Sequence, residues 1–172
     1  KNIASFALDM RGHFQSTTKL NGKRTYWQNY TEKTFTKYPN DINTVLAFLN
    51  EHYVALDMNR VGIVGADISA NAAILVANKN KNLIDTLVLI SPTMQFKGLK
   101  TSEALMNYGN HPVAIIVTKT DTHHYKDAVL LEKYAEGVVE LKTTKTGGTG
   151  DNIIKLNPEI NDFIVDWFVK NL

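Results

Sequence analysis

Four short polar stretches hold most of the side chains that could do chemistry, and each follows an apolar run. They read DMRGHFQS at 9–16, GADISAN at 65–71, TKTDTHH at 118–124 and TGGTGD at 146–151. Between them they offer carboxylates at Asp9, Asp67, Asp121 and Asp151, imidazoles at His13, His123 and His124, hydroxyls at Ser16 and Ser69, and glycine-rich backbone at Gly147 and Gly148. Carboxylates and imidazoles move protons near neutral pH, and a carboxylate or hydroxyl presented beside a base can attack carbon. GADISAN would join a strand to a helix and carries Asp67 between Ala66 and Ile68. The chain has no cysteine, which removes disulfides, thiolate metal sites and thiol catalysis. No metal site or cofactor is expected.

The elements that must position these residues follow from the apolar pattern. Residues 3–8 form a short apolar run that predicts a strand. A polar stretch follows, with the loop at 17–36 expected to be a surface flap. Ile42, Val45, Leu46, Leu49 and Tyr53 then repeat with the period of a helix. Residues 61–64 predict a second strand. Gly65 opens a small-residue segment in which Ala70, Ala73, Ile74 and Ala77 suit a helix packed closely on a sheet. Further strands are expected at 86–90, 113–117 and 138–141, with a weak helix at 103–107 and another at 126–135 between them. The last helix is expected from Pro158 to the end, with Ile160, Phe163, Ile164, Trp167 and Phe168 as its apolar stripe. Five short apolar strands alternating with helices predict an α/β protein with a three-layer parallel sheet, and residues 1–172 read as one domain. In such a sheet, reactive groups collect at the C-terminal ends of the strands, which is where all four polar stretches fall.

In order and character the four stretches resemble the α/β-hydrolase superfamily, closest to small esterases and dienelactone-hydrolase-like members. Asp9, Arg11, Gly12, His13 and Ser16 match a D-x-R-G-H-G-x-S loop, with Phe14 in place of the second glycine. GADISAN looks like the nucleophile elbow G-x-S-x-G: Gly65 is kept, Asp67 takes the serine position and Ser69 replaces the second glycine. Asp121 matches the family's acid. Gly147 stands where the histidine is expected, followed by Gly148 and Thr149. The resemblance therefore puts Asp67 and Asp121 at catalytic positions. It makes His13, Ala66, Ile68, His123, His124, Gly147 and Gly148 candidate binding residues around the former active-site cleft. It also implies that the chain is the C-terminal portion of the fold, from the fourth to the eighth strand, lacking its N-terminal strands. Either residues 3–8 pair directly with 61–64, or another segment fills the gap. Right-handed crossovers would gather most helices on one face, leaving the other underprotected, to be covered by a missing N-terminal segment or a partner chain.

Serine catalysis needs a hydroxyl and an imidazole that takes and returns its proton, and neither matched position carries one. The expected function is accordingly a hydrolase homologue with degenerate catalytic residues that binds a small molecule or protein through the cleft. Two alternatives stay open. A carboxylate at Asp67 could attack a saturated carbon, as dehalogenases and epoxide hydrolases do, but releasing the alkyl ester needs an activated water, and losing the base costs that step about 10²- to 10⁴-fold. An esterase with a substituted base is the other, with His123 or His124 supplied from beside Asp121; two adjacent histidines after a strand also suit a solvated turn. Asp67 and Asp121 each suit a plainer role as helix N-caps, worth about 0.5–2 kcal/mol. Arg11 and His13 are expected to hold their loop, and His52 and His111 to be surface or strand-edge residues.

Two motif-like runs are set aside. Gly62 and Gly65 do not make the G-x-G-x-x-G that a dinucleotide needs for close approach. TGGTGD resembles an anion cradle of molybdopterin-binding proteins, but there it opens a different topology. The net charge of +2 comes from scattered lysines without a basic stripe, so nucleic acid is not an expected partner. No apolar run approaches the roughly 20 residues of a membrane span. Cysteine usage leaves the compartment open between cytoplasm and export.

Overall fold

The computed structural model describes residues 3–172. Its centre is a parallel sheet of four strands, β1 (Val61–Ala66), β2 (Ile84–Ile90), β5 (Val113–Thr118) and β6 (Val139–Thr144), in the order β1-β2-β5-β6. A two-residue hairpin, β3 (Gln95–Phe96) with β4 (Leu99–Lys100), projects from the loop after β2. The helices are α1 (Glu32–Phe35), α2 (Tyr38–His52), α3 (Ile68–Lys79), α4 (Ser102–Tyr108), α5 (Thr122–Tyr134), α6 (Asp151–Leu156) and α7 (Glu159–Asn171), with a 3-10 turn at Trp27–Asn29. The mixed α/β class and the parallel sheet expected from the sequence are present. Four of the five expected strands form. The fifth does not: residues 3–8 join no ladder, and all but Leu8 are exposed. An apolar run becomes a strand only when a neighbouring backbone takes its hydrogen bonds, and no residue of β1 does so here.

Each crossover steps one strand in the same direction, so right-handed connections place α3, α4 and α5 on one face. Their buried Ala73, Ile74, Leu105, Ala128 and Leu131 pack there with Leu87, Leu89, Ile115 and Val117 of the sheet, and Leu46 of α2 joins them. α3 is buried almost all round, and its small side chains let it lie close to β1: a Cβ on Gly65 would stand 2.6 Å from the Ser69 carbonyl oxygen. The helix predicted through Tyr53 stops at His52, and Tyr53 is exposed.

The opposite face is better covered than the sequence suggested. Ile153 of α6 and Ile160 and Trp167 of α7 bury Val88, Ile90, Ala114 and Ile116. The indole N–H of Trp167 donates to Thr86 Oγ1 at 2.8 Å, and that hydroxyl donates to the Pro112 carbonyl at 2.9 Å, so the one polar atom of the ring is satisfied inside the core. Exposure on this face lies at both edges of the sheet, at Val64 of β1, which is 50% exposed, and at Glu140 of β6.

A third cluster joins Met10, Phe35, Tyr38, Ala72 and Leu99. It fixes the loop after residue 8 to the N-terminal ends of α2 and α3, and it gives the 17–36 stretch more structure than a flap.

Candidate active site

The apex of the β1–α3 turn is Asp67, with φ 50° and ψ −122°. An L-residue is held in this sparsely populated region only where its surroundings insist, at about 1–3 kcal/mol. The surroundings are on both sides. The Asp67 N–H donates to the Ile90 carbonyl at the end of β2, and the Asp67 carbonyl accepts from Ala70 N–H in the first turn of α3. Close helix packing over Gly65 makes the turn sharp. The conformation also corrects the N-cap expectation: Asp67 occupies the cap position, but its side chain accepts no backbone N–H of α3. It is aimed instead at the loop after β6.

There the carboxylate accepts a hydrogen bond from Thr149 Oγ1 at 2.5 Å. Gly150 follows with φ 62°, and a Cβ at that position would lie 2.0 Å from Asp67 Oδ2. The Gly150 N–H donates to Ser91 Oγ at 3.0 Å, and Ser91, fully buried at the end of β2, itself has φ 51°. The ends of three elements thus lock together: the β1–α3 turn, the residue after β2 and the loop before α6. Thr149, Gly150 and Ser91 make these contacts, whereas Gly147, matched to the histidine position, packs against Ile153 and Gly148 has open space beside it. Thr149 and Ser91 were missed by sequence reasoning. Position was the available signal, since each directly follows a strand or the glycine turn after one.

Asp121 caps α5, accepting from His124 N–H at 3.3 Å, and its other oxygen lies 2.8 Å from His124 Nδ1. α5 begins at Thr122, earlier than the expected 126. His124 is therefore a held ring, not part of a solvated turn, while His123 is exposed and meets only the edge of His124. A carboxylate on Nδ1 fixes the orientation of an imidazole ring. No histidine nitrogen hydrogen-bonds to Asp67 among the described residues. The Thr118 and Thr144 hydroxyls bond each other at 2.9 Å and reach the Thr146 carbonyl, tying the loops after β5 and β6 together.

The 9–16 loop approaches from the side of α2. Arg11 clamps Asp41 through two nitrogens, with Nε at 2.6 Å, which raises the guanidinium pKa. His13 lies 5.5 Å from the Trp27 ring in a parallel stack, its edge toward Tyr38, and its Nδ1 is 3.2 Å from the Arg11 carbonyl. A shallow depression of about 320 Å³ opens here between His13, Phe14, Tyr26, Trp27 and Gln28. Burial pushes the Tyr38 phenol up to about 12, so it is neutral at any ordinary pH. Ile68, next to Asp67, packs on the Met10 and Tyr38 cluster, and Ala66 faces the α7 side. The structure thus brings the elbow together with the 146–151 loop directly and with the 9–16 loop through Ile68. Asp121 and His124 bond each other and not Asp67. His52 stacks on Phe48 and His111 on Tyr108, both outside this region. Among the described residues no group of three or more His, Asp or Glu could hold a metal ion, and no helix is long and apolar enough to cross a membrane.

Solved structures with a similar fold include esterases and a dienelactone hydrolase. An esterase from Pyrococcus furiosus superposes with a TM-score of 0.67 at 20% identity, over 87% of this chain and 66% of its own. Dienelactone hydrolase from Anabaena variabilis gives 0.68 at 15% identity, over 80% and 61%. The chain has the α/β-hydrolase fold. A lipase-esterase related protein from Clostridium acetobutylicum gives 0.68 at 15% identity, over 93% of this chain and 81% of that one. The chain spans slightly less than two thirds of the first two hydrolases. No family model matches it, and no curated protein does.

Proposed function

We propose that this α/β-hydrolase homologue binds a small molecule or a protein segment at the C-terminal ends of its strands and lacks serine-hydrolase activity. The observation that carries the reading is the state of the elbow apex. A carboxylate stands there, it is held by the Thr149 hydroxyl, and among the described residues no imidazole bonds to it. Acyl transfer by a serine needs that hydroxyl and an imidazole that takes its proton and returns it to the leaving group, and the apex carries neither. The well-oriented histidine, His124, is engaged by Asp121.

A second reading rests on one observation, the strained φ of 50° at a non-glycine residue. Such strain persists where it presents a reacting atom. In this reading an Asp67 oxygen attacks an alkyl carbon, the carbon–halogen or epoxide C–O bond breaks, and an ester forms on the protein. Thr149, donating to the same carboxylate, lowers its nucleophilicity and opposes this.

Incubation with aryl esters, haloacids and epoxides, followed by intact-protein mass spectrometry, separates the readings. The first expects no turnover and no added mass, together with saturable binding that raises the melting temperature. A stable mass increase abolished by Asp67→Asn would replace it with the second. Ester turnover unaffected by Asp67→Asn would overturn both.

A further inference from the structure

The glycine-rich loop between β6 and α6 is pinned from the inside. The Thr146 carbonyl accepts from Thr144 Oγ1 at 2.8 Å, from Asn157 Nδ2 at 2.9 Å and from Thr118 Oγ1 at 3.2 Å. Thr146 Oγ1 in turn donates to Asn157 Oδ1 at 3.2 Å. The donors that follow are left over. The backbone N–H groups of Thr146, Gly147, Gly148 and Thr149 donate to no atom of the described residues, and the next amide with a partner is that of Gly150, on Ser91 Oγ. Gly147 is buried, and the N–H of a buried residue is rarely without an acceptor. Gly148 is exposed, with φ 60° and nothing within 4 Å of a would-be Cβ. Successive free amides in a turn are the backbone arrangement that takes an anion.

Positive charge stands beside them. Thr118 and Thr144 are register partners at the ends of β5 and β6, and the Lys119 N–H carries the ladder one bond further, to the Thr144 carbonyl at 3.0 Å. Lys119 and Lys145 therefore leave neighbouring strands side by side, at a strand spacing of about 5 Å. Both are exposed, and neither side chain has an ion-pair, hydrogen-bond or ring partner among the described residues. Like charges opposite each other across a ladder repel, and an anion between them removes the repulsion. The carboxylates of this region are engaged, Asp67 by Thr149, Asp121 by His124 and Asp151 by Lys155. Asp67 and Asp151 also border the Gly150 end of the loop, which leaves the Thr146–Gly148 end to the anion.

We propose that residues 146–148, with Lys119 and Lys145, form a phosphate-binding site. Several amides and two ammonium groups match a group with three acceptor oxygens and a charge of about −2 near neutral pH, which a phosphate has and a carboxylate lacks. The amides hold its oxygens and the lysines balance its charge. The site does not depend on what Asp67 does.

Inorganic phosphate and phenyl phosphate are titrated into isotopically labelled protein, with chloride at matched ionic strength as the reference. The Gly147 and Gly148 amide resonances should shift saturably, and the melting temperature should rise with either phosphate and not with chloride. Tighter binding of phenyl phosphate identifies a phosphorylated small molecule as the ligand, and tighter binding of inorganic phosphate identifies the free ion. Lys119→Gln/Lys145→Gln should weaken binding about tenfold or more. Lys133→Gln/Lys170→Gln, which removes the same charge from exposed positions on α5 and α7, should weaken it less than about twofold, with melting curves confirming that both double variants fold. Asp67→Asn should leave the affinity undiminished. Amide shifts no larger than those in chloride would overturn the proposal, as would equal losses in the two double variants or loss of binding in Asp67→Asn.

Discussion

Replacing Gly150 by alanine tests whether the elbow and the loop before α6 are one locked unit. Gly150 has φ 62° and ψ −139°, a region that costs an L-residue about 1–3 kcal/mol. The added methyl would sit 2.0 Å from Asp67 Oδ2, so the carboxylate must swing away, losing the Thr149 bond. A hydrogen bond to a charged group is worth about 1.5–3 kcal/mol. The two terms sum to roughly 3–6 kcal/mol, or a fall of about 6–24 °C in melting temperature for a chain of this size. Gly148→Ala is the control. Its φ is 60°, but nothing lies within 4 Å of its would-be Cβ, so only the backbone cost of about 1–3 kcal/mol applies. The decisive arm is a double-mutant cycle. With Asp67→Ala already in place there is no carboxylate to displace, and the further step to Gly150→Ala should cost no more than Gly148→Ala, giving a coupling of about 1.5–3 kcal/mol. Urea titration measures all four corners. Additive effects within about 0.5 kcal/mol would refute the contact between Asp67 and Gly150 as the source of the cost.

Tyr38 should respond to alkali. Its folded pKa is raised to about 12 by burial against an unfolded value of about 10, so its stabilising contribution is complete below pH about 10 and is lost as pH rises through about 12. The loss approaches about 2–3 kcal/mol, and melting curves across that window should flatten in part with Tyr38→Phe; Tyr108, also raised by burial, supplies the remainder. Asn71 donates to Thr93 Oγ1 at 2.9 Å and accepts from Thr93 N–H at 3.0 Å, all fully or nearly fully buried. Asn71→Ala should therefore destabilise by about 2–4 kcal/mol and accelerate hydrogen exchange at the Thr93 amide. Trp167→Phe should cost less than Trp167→Ala, which should lose about 3–5 kcal/mol in urea titration, because the Thr86 hydroxyl keeps its bond to Pro112 when the indole is gone.

The buried strands were readable because β2 and β5 are nearly continuous apolar runs, and a run covered on both faces needs no other signal. Residues 3–8 have the same character and do not form a strand, because pairing depends on a neighbour that composition does not specify. α6 and the β3–β4 hairpin escaped notice for being short. At the candidate site, glycine spacing located the turn around Asp67. It could not give the φ of 50° that turns the carboxylate from its own helix toward Thr149, since that angle arises from α3 packing on Gly65 and from the bond to Ile90. Asp121 was legible as a cap because the residues it caps follow it directly, and its hold on His124 lies within the same turn.

The two tryptophans sit at opposite extremes of solvation, Trp27 43% exposed against His13 and Trp167 4% exposed where α7 meets β2. The molecule thereby carries two built-in optical reporters. A water-soluble quencher should silence the emission of the first and spare that of the second, so one titration of intrinsic fluorescence can distinguish events at the His13 loop from detachment of the C-terminal helix without any label.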